Sequence, residues 1–185
     1  GVPDSHQDQN PPSPLSSGGY TERHLPSGRG DSIEKTIFLF ALRVKNDADQ
    51  KKKEELQERF RRAGILDSIR FSDTVFDVAS LYNVADIVTF PVANMHGKFD
   101  VPLVILEAYA CGRPVILSDL PIFAEFSKQG FSATIPRDDG DALWGAIQSL
   151  RADETKRKAL GASARAFVEK NFDLKDTAEM YRSYF

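Results

Sequence analysis

From Thr36 onward, short runs of β-branched and aromatic residues alternate with longer stretches in which apolar residues recur every third or fourth position. The runs Thr36–Leu42, Ser68–Phe71, Asp86–Pro91, Pro114–Leu117 and Ala133–Ile135 predict five strands. Strands that alternate with helices imply βαβ units. The expected fold class is therefore α/β, a doubly wound parallel sheet of about five strands with helices on both faces and further helices at the C-terminus.

Between the first two strands, Leu56, Phe60 and Ala63 fall at i, i+4 and i+7 among Lys51, Lys52, Lys53, Glu54, Glu55, Arg61 and Arg62. This spacing predicts an amphipathic surface helix. Its charges are of both signs, which fits a solvated face better than a patch for acidic lipid. After the fifth strand, Leu143–Leu150, Asp153–Lys170 and Leu174–Tyr184 carry helical spacing, and Trp144 with Leu143 and Ile147 reads as a packing anchor.

Residues 1–35 break the pattern. They hold five of the ten prolines and five of the twelve glycines, with few large apolar groups. Such a stretch cannot bury enough surface to offset its ordering entropy, so it is expected to be a disordered or extended arm, with the folded domain at 36–185. Arg29-Gly30-Asp31 matches an adhesion tripeptide, but three letters in a polar tail carry no argument.

Composition narrows the function further. With 24 Lys+Arg against 27 Asp+Glu the formal charge is −3, which disfavours a non-specific grip on nucleic acid. The single cysteine, Cys111, excludes a disulfide framework and a multi-cysteine metal site. With three histidines, two of them in the arm, no zinc constellation is available, and no metal or other cofactor is expected. No apolar run approaches the roughly 18 to 20 residues that span a bilayer, and the first residues lack the apolar core of a signal peptide. A cytoplasmic location is the expectation. The chain begins with Gly1 rather than Met, as a fragment or a processed product would.

The chemistry is expected between Asp86 and Asp119. Val92–Val101 makes a connection of about ten residues, where βα loops usually have about two to six. A long loop at the carboxyl end of a parallel strand lies where open α/β sheets bind ligands. Pro102 suits the first position of the helix that follows, with Asp100 or Val101 just before it. The free N–H groups of Leu103 and Val104, with the positive end of the macrodipole, then form a seat for a phosphate. Lys98 on the loop can add a charge-assisted contact, and His96 and Gly97 lie beside it.

Glu107 is the odd residue in the nearly all-apolar stretch Pro102–Cys111. A carboxylate on a helix packed on both sides is costly unless paired. It lies about 7.5 Å along the axis from Pro102, and its side chain leans back toward the helix start. Two adjacent ribose hydroxyls would suit it, but so would a pairing with Arg113, or water. Gly112 and Pro114 end the helix by a left-handed cap and a helix breaker. Neither a G-x-G-x-x-G nor a P-loop signature is present.

The run ADIVTFP, a loop, then VPLVILEAYACGRPVILSDLPIFAEF and Gly130 resembles the carboxy-terminal, donor-binding domain of retaining glycosyltransferases of the GT-B architecture, family 4. The resemblance extends from about Thr36 to Phe185. It implies a Rossmann-like domain that binds a nucleoside-diphosphate sugar as substrate and serves polysaccharide or glycolipid synthesis. By the same resemblance the backbone around Pro102 and Leu103 holds the diphosphate, and the acceptor belongs to an amino-terminal domain missing from this sequence. The full-length protein is then expected to touch the inner face of a membrane peripherally.

Members of that family carry two glutamates eight positions apart, the second on the ribose and the first on the donor sugar. Glu107 matches the second. The first position is Phe99, so only the neighbouring Asp100 offers a catalytic carboxylate, and Asp100 serves equally as the helix N-cap. The family also grips the diphosphate with an Arg and a Lys after an upstream strand. Arg43 and Lys45 follow the strand Phe38–Leu42, but their distance from Glu107 fits the family's second strand better than its first. The loss of that cationic pair removes a large electrostatic contribution to catalysis. An isolated chain is thus expected to transfer little, and the competing reading is a catalytically inactive binding or interaction module of the same fold.

Overall fold

The computed structural model describes residues 36–95, 102–128 and 130–184. The described residues form two compact units that divide after Thr74. The expected arm, residues 1–35, lies outside the described residues, as do His96, Gly97, Lys98, Phe99, Asp100 and Val101.

In the first unit, β1 (Phe38–Ala41), α1 (Asp47–Arg62) and β2 (Ile69–Ser72) form a parallel βαβ crossover, with Phe38 opposite Ile69 and Phe40 opposite Phe71. This register puts Phe40 and Phe71 on one face, their ring centroids 5.3 Å apart, with Phe60 of α1 at 5.7 and 6.3 Å from them. Three rings thus weld the helix to the sheet. No residue of α1 is fully buried, in keeping with the surface helix that its charges predict. Ala63, at the end of the predicted stripe, is the C-cap and is exposed.

The second unit contains α2 (Val78–Val84), β3 (Val88–Phe90), α3 (Leu103–Ala110), β4 (Val115–Ser118), a 3-10 turn (Pro121–Phe123) leading into α4 (Ala124–Lys128), β5 (Ser132–Ile135), α5 (Gly140–Ala152), α6 (Glu154–Asn171) and α7 (Leu174–Arg182). Its sheet is parallel in the order β3-β4-β5. All four residues of β4 are buried, as a central strand covered on both faces requires. Val115 and Leu117 face Ile105, Ala108, Tyr109, Phe123 and Phe167, whereas Ile116 faces Ile135 and Leu150. One face is therefore sealed by α3 and α6, the other by α5.

All five predicted strands form, within two residues of their expected ends. Hydrogen bonding gives a two-stranded piece, β1-β2, and a three-stranded piece, β3-β4-β5. Apolar patterning marks where a strand lies but not which neighbour it bonds, so the sequence could not reveal this division. The anchor of α5 is Leu150, 1% exposed, while Trp144 is half-buried.

Five helices start on side-chain caps: Asn46, Asp77, Asp139, Asp153 and Asp173 each accept a backbone N–H two or three residues ahead. The end of α3 is a Schellman motif. Gly112 N–H donates to the Tyr109 carbonyl at 2.8 Å and Arg113 N–H to that of Ala108 at 2.9 Å. Gly112 has φ +64°, as its predicted capping role demands. A Cβ at Gly112 would meet only the Gly161 carbonyl oxygen, at an ordinary 3.9 Å. The cost of Gly112→Ala is thus conformational, about 1 to 2 kcal/mol. Urea denaturation is expected to show a lower midpoint with an unchanged slope; an unaltered midpoint would contradict the left-handed cap.

Candidate functional site

The site lies in the β3–α3–β4 crossover. β3 ends at Phe90, and the chain turns there, with Val92 N–H donating to the Phe90 carbonyl at 3.1 Å. Val92 and Met95 pack against the core, so the described base of the long loop is held down. By the βαβ topology, α3 begins on the carboxyl side of the sheet, where ligands of this fold class bind.

Pro102 is the N-cap of α3, not its first helical residue. Its φ of −74° is one that proline readily adopts, but its ψ of 110° is extended, so helical geometry begins at Leu103. The cap position therefore belongs to Pro102 and not to Asp100, which corrects the expectation that Asp100 could serve there. Pro102 has no side-chain group to cap with, and no side-chain cap hydrogen bond is made. The amides of Leu103 and Val104 belong to the first turn, which has no carbonyl of its own to offer them.

One face of α3 is open. Ile105, Ala108 and Tyr109 are buried, whereas Leu103 is 65% and Val104 40% exposed, and Glu107 is exposed with them. Leu103 and Glu107 stand at i and i+4, one above the other. The near-absence of polar residues suggests a helix packed all round, and this is corrected: the apolar residues Leu103 and Val104 lie on the solvent side, next to the carboxylate.

Glu107 accepts a hydrogen bond from the Tyr82 hydroxyl, at 3.3 Å from Oε2. Tyr82 belongs to α2, and its side chain forms part of the core. Burial, followed by the negative charge of Glu107 and the hydrogen bond to it, pushes the Tyr82 phenol well above its ordinary pKa. The phenol remains a donor over the whole physiological range. Arg113, the competing partner weighed for Glu107, is turned elsewhere. Its Nε donates to the Cys111 carbonyl at 3.0 Å and its Nη1 to that of Ala85 at 3.2 Å.

Sequence reasoning missed Tyr82. The only local signal was a phenol in the apolar stretch Val78–Val88, and nothing in a spacing of 25 residues ties it to Glu107. On the core side of the same helix, Tyr109 bonds Ser132 of β5 through its hydroxyl, and burial pushes this phenol up to about 12 against the effect of that bond. That pair locks α3 to β5 and leaves the open face free.

Arg43 and Lys45 lie beyond the end of β1, in the first unit. With Leu42, Asn46, Lys52 and Leu56 they line an open cleft of about 500 Å³. Lys53, on the same cleft, pairs with Asp73 at 2.8 Å and lies over the Phe71 ring. Among the described residues, no group of three or more His, Cys, Asp or Glu could hold a metal ion. No helix among them is long and apolar enough to cross a membrane.

The sequence and the fold of the chain match known proteins. The chain is 31% identical over 127 residues to the lipopolysaccharide core biosynthesis mannosyltransferase LpsB of Rhizobium meliloti, an overlap of 67% of this chain and 35% of that protein. It is 32% identical over 117 residues to a phosphatidyl-myo-inositol mannosyltransferase of Mycobacterium leprae, covering 61% of this chain and 30% of the relative. The chain thus spans about a third of the length of these relatives. Among solved structures, Anabaena Alr3699/HepE in complex with UDP superposes with a TM-score of 0.70 at 20% identity, over 80% of this chain and 41% of that one. That likeness establishes the Rossmann-like fold. The family described as "Glycosyl transferases group 1" matches residues 41–153, and the chain belongs to it.

Proposed function

We propose that residues 36–185 are the donor-binding domain of a retaining, GT-B type glycosyltransferase of family 4. In this reading it holds a nucleoside-diphosphate sugar whose sugar is passed to an acceptor in polysaccharide or glycolipid assembly. The observation that carries the reading is Glu107: a carboxylate on the open face of α3, about one turn beyond a helix start whose N-cap, Pro102, makes no side-chain capping bond. Two relatives named as mannosyltransferases support a hexose as the transferred group, and a structural neighbour with bound UDP supports a nucleotide in the site.

The diphosphate lies at the start of α3, against Pro102 and the amides of Leu103 and Val104. The ribose hydroxyls donate to Glu107. The sugar is assigned to the Asn94–Asp100 segment, with His96, Gly97 and Lys98 as its donor-binding residues. As the bond to the sugar breaks, negative charge grows on the leaving diphosphate. Fixed amides, the positive helix end and Lys98 meet that charge without a metal. Asp100 is the carboxylate assigned to the donor sugar. The acceptor and any contact with the inner face of a membrane belong to a longer polypeptide, for which the length of the relatives leaves room.

Titration calorimetry with UDP and GDP tests the reading. Glu107→Gln keeps one acceptor oxygen but loses the charge, and is expected to weaken the tighter of the two nucleotides about tenfold, or about 1.4 kcal/mol. Unchanged affinity for both would remove Glu107 from the site.

A further inference from the structure

We propose that Tyr82 is a positioning residue for donor binding, a fixed phenol that holds the Glu107 carboxylate ready to receive ligand hydroxyls. The inference rests on the placement of the ribose against Glu107 given above.

The geometry divides the two residues into a rigid partner and a free one. The Tyr82 ring is 9% exposed and packed into the core of the Val75–Phe185 unit, so its hydroxyl is fixed in place by packing. Glu107 projects from the open face of α3, where an unrestrained glutamate samples many rotamers. A single hydrogen bond, from Tyr82 Oη to Glu107 Oε2 at 3.3 Å, joins α2 to α3 at this point. A carboxylate can accept about four hydrogen bonds, so Tyr82 leaves capacity for two more donors on one ligand. A ligand that finds the carboxylate already oriented does not have to order it on binding.

The pairing also sets the protonation roles. The phenol lies next to a negative charge in a buried setting and stays protonated, so in this pair Tyr82 is the donor and Glu107 Oε2 accepts its hydrogen bond. The ribose hydroxyls donate to the same carboxylate, and a ligand without them loses the benefit that Tyr82 confers. A purely structural phenol would not discriminate between such ligands.

The experiment is a double-mutant cycle on the full chain, read by calorimetry with whichever of UDP and GDP binds more tightly and with its 2′,3′-dideoxy analogue. Tyr82→Phe keeps the ring and removes the hydroxyl. It is expected to weaken the nucleotide about fivefold, to leave the dideoxy analogue unchanged, and to have no further effect in a Glu107→Ala background. If Glu107→Ala weakens binding while Tyr82→Phe does not, the positioning role is overturned and the nucleotide site stands. If Glu107→Ala leaves affinity unchanged, the site reading fails and the positioning role fails with it. Equal weakening of both ligands by Tyr82→Phe, or added weakening on top of Glu107→Ala, would mean a general loss of packing and would also overturn it. Should Tyr82→Phe fold poorly, the wild-type chain still decides the matter: the ¹³Cζ resonance of Tyr82 is expected to move on saturation with the nucleotide and not with its dideoxy analogue. A resonance that ignores both overturns the proposal.

Discussion

Phe167→Ala is expected to lower the stability of the Val75–Phe185 unit by about 3 to 5 kcal/mol. Phe167 stacks on Phe131 with centroids 4.6 Å apart, meets Phe126 edge-on at 6.2 Å, and touches Phe172 at 5.8 Å. Tyr109 extends the group, at 6.0 Å from Phe126 and 5.4 Å from Phe131. Rings contributed by α3, α4, α6 and the turn before β5 therefore share one volume. Removing the central ring leaves a cavity that neighbours fixed on three other segments cannot jointly fill, which puts the cost in the upper range for large-to-small changes. Trp144 is the only tryptophan, so its fluorescence follows this unit alone during urea unfolding. A loss below about 1 kcal/mol would mean that the rings are not a packed core.

That cluster and the site depend on the same helix. Tyr109 sits in the aromatic group and bonds Ser132, while Glu107, two residues earlier, faces outward. A rigid inner face holds the outer face still. The hydrogen bond from Tyr82 then fixes a side chain that backbone rigidity alone would leave mobile.

The sequence made some of this legible. β4 was readable because Val115, Ile116 and Leu117 form an unbroken apolar run between a proline and a polar pair, which only a doubly covered strand tolerates. The cap at Gly112 was readable because glycine before Arg113-Pro114 has few other uses. Glu107 stood out by contrast with its neighbours. The open face of α3 was not readable: Leu103 and Val104 look like core residues in any pattern, and only the third dimension shows them exposed among the described residues. The helices α2 and α4 are seven and five residues long, too short for a helical period to be seen. The division of the strands into two sheets, and the pairing of Tyr82 with Glu107, depend on contacts between distant segments that leave no local trace.

Gly161 lies wholly on that illegible side and carries the other large effect. It sits in the interior of α6, where alanine ordinarily stabilises a helix by about 1 kcal/mol over glycine. Here the sign is expected to reverse. A Cβ at Gly161 would stand 2.1 Å from the Gly112 carbonyl oxygen and 2.9 Å from its carbonyl carbon. Both are backbone atoms of the cap that ends α3, held by the hydrogen bonds from Gly112 and Arg113, so no flexible side-chain tip can move aside. Either α6 moves away from α3, loosening the contacts of Ala164 and Phe167, or the cap deforms. Overpacking of this kind costs about 1 to 3 kcal/mol, and a rigid obstacle on both sides places Gly161→Ala at about 2 to 3 kcal/mol net of the helix gain. Because the amides of Leu103 and Val104 are at the opposite end of α3 from this cap, and Glu107 is held by its own bond from Tyr82, nucleotide affinity of the folded variant is expected to stay within twofold of wild type while the urea midpoint followed by Trp144 falls. A midpoint at or above the wild-type value would show that α6 and the α3 cap do not approach so closely, and a folded variant with sharply weaker nucleotide binding would show that α3 moves as one body when its far end is displaced.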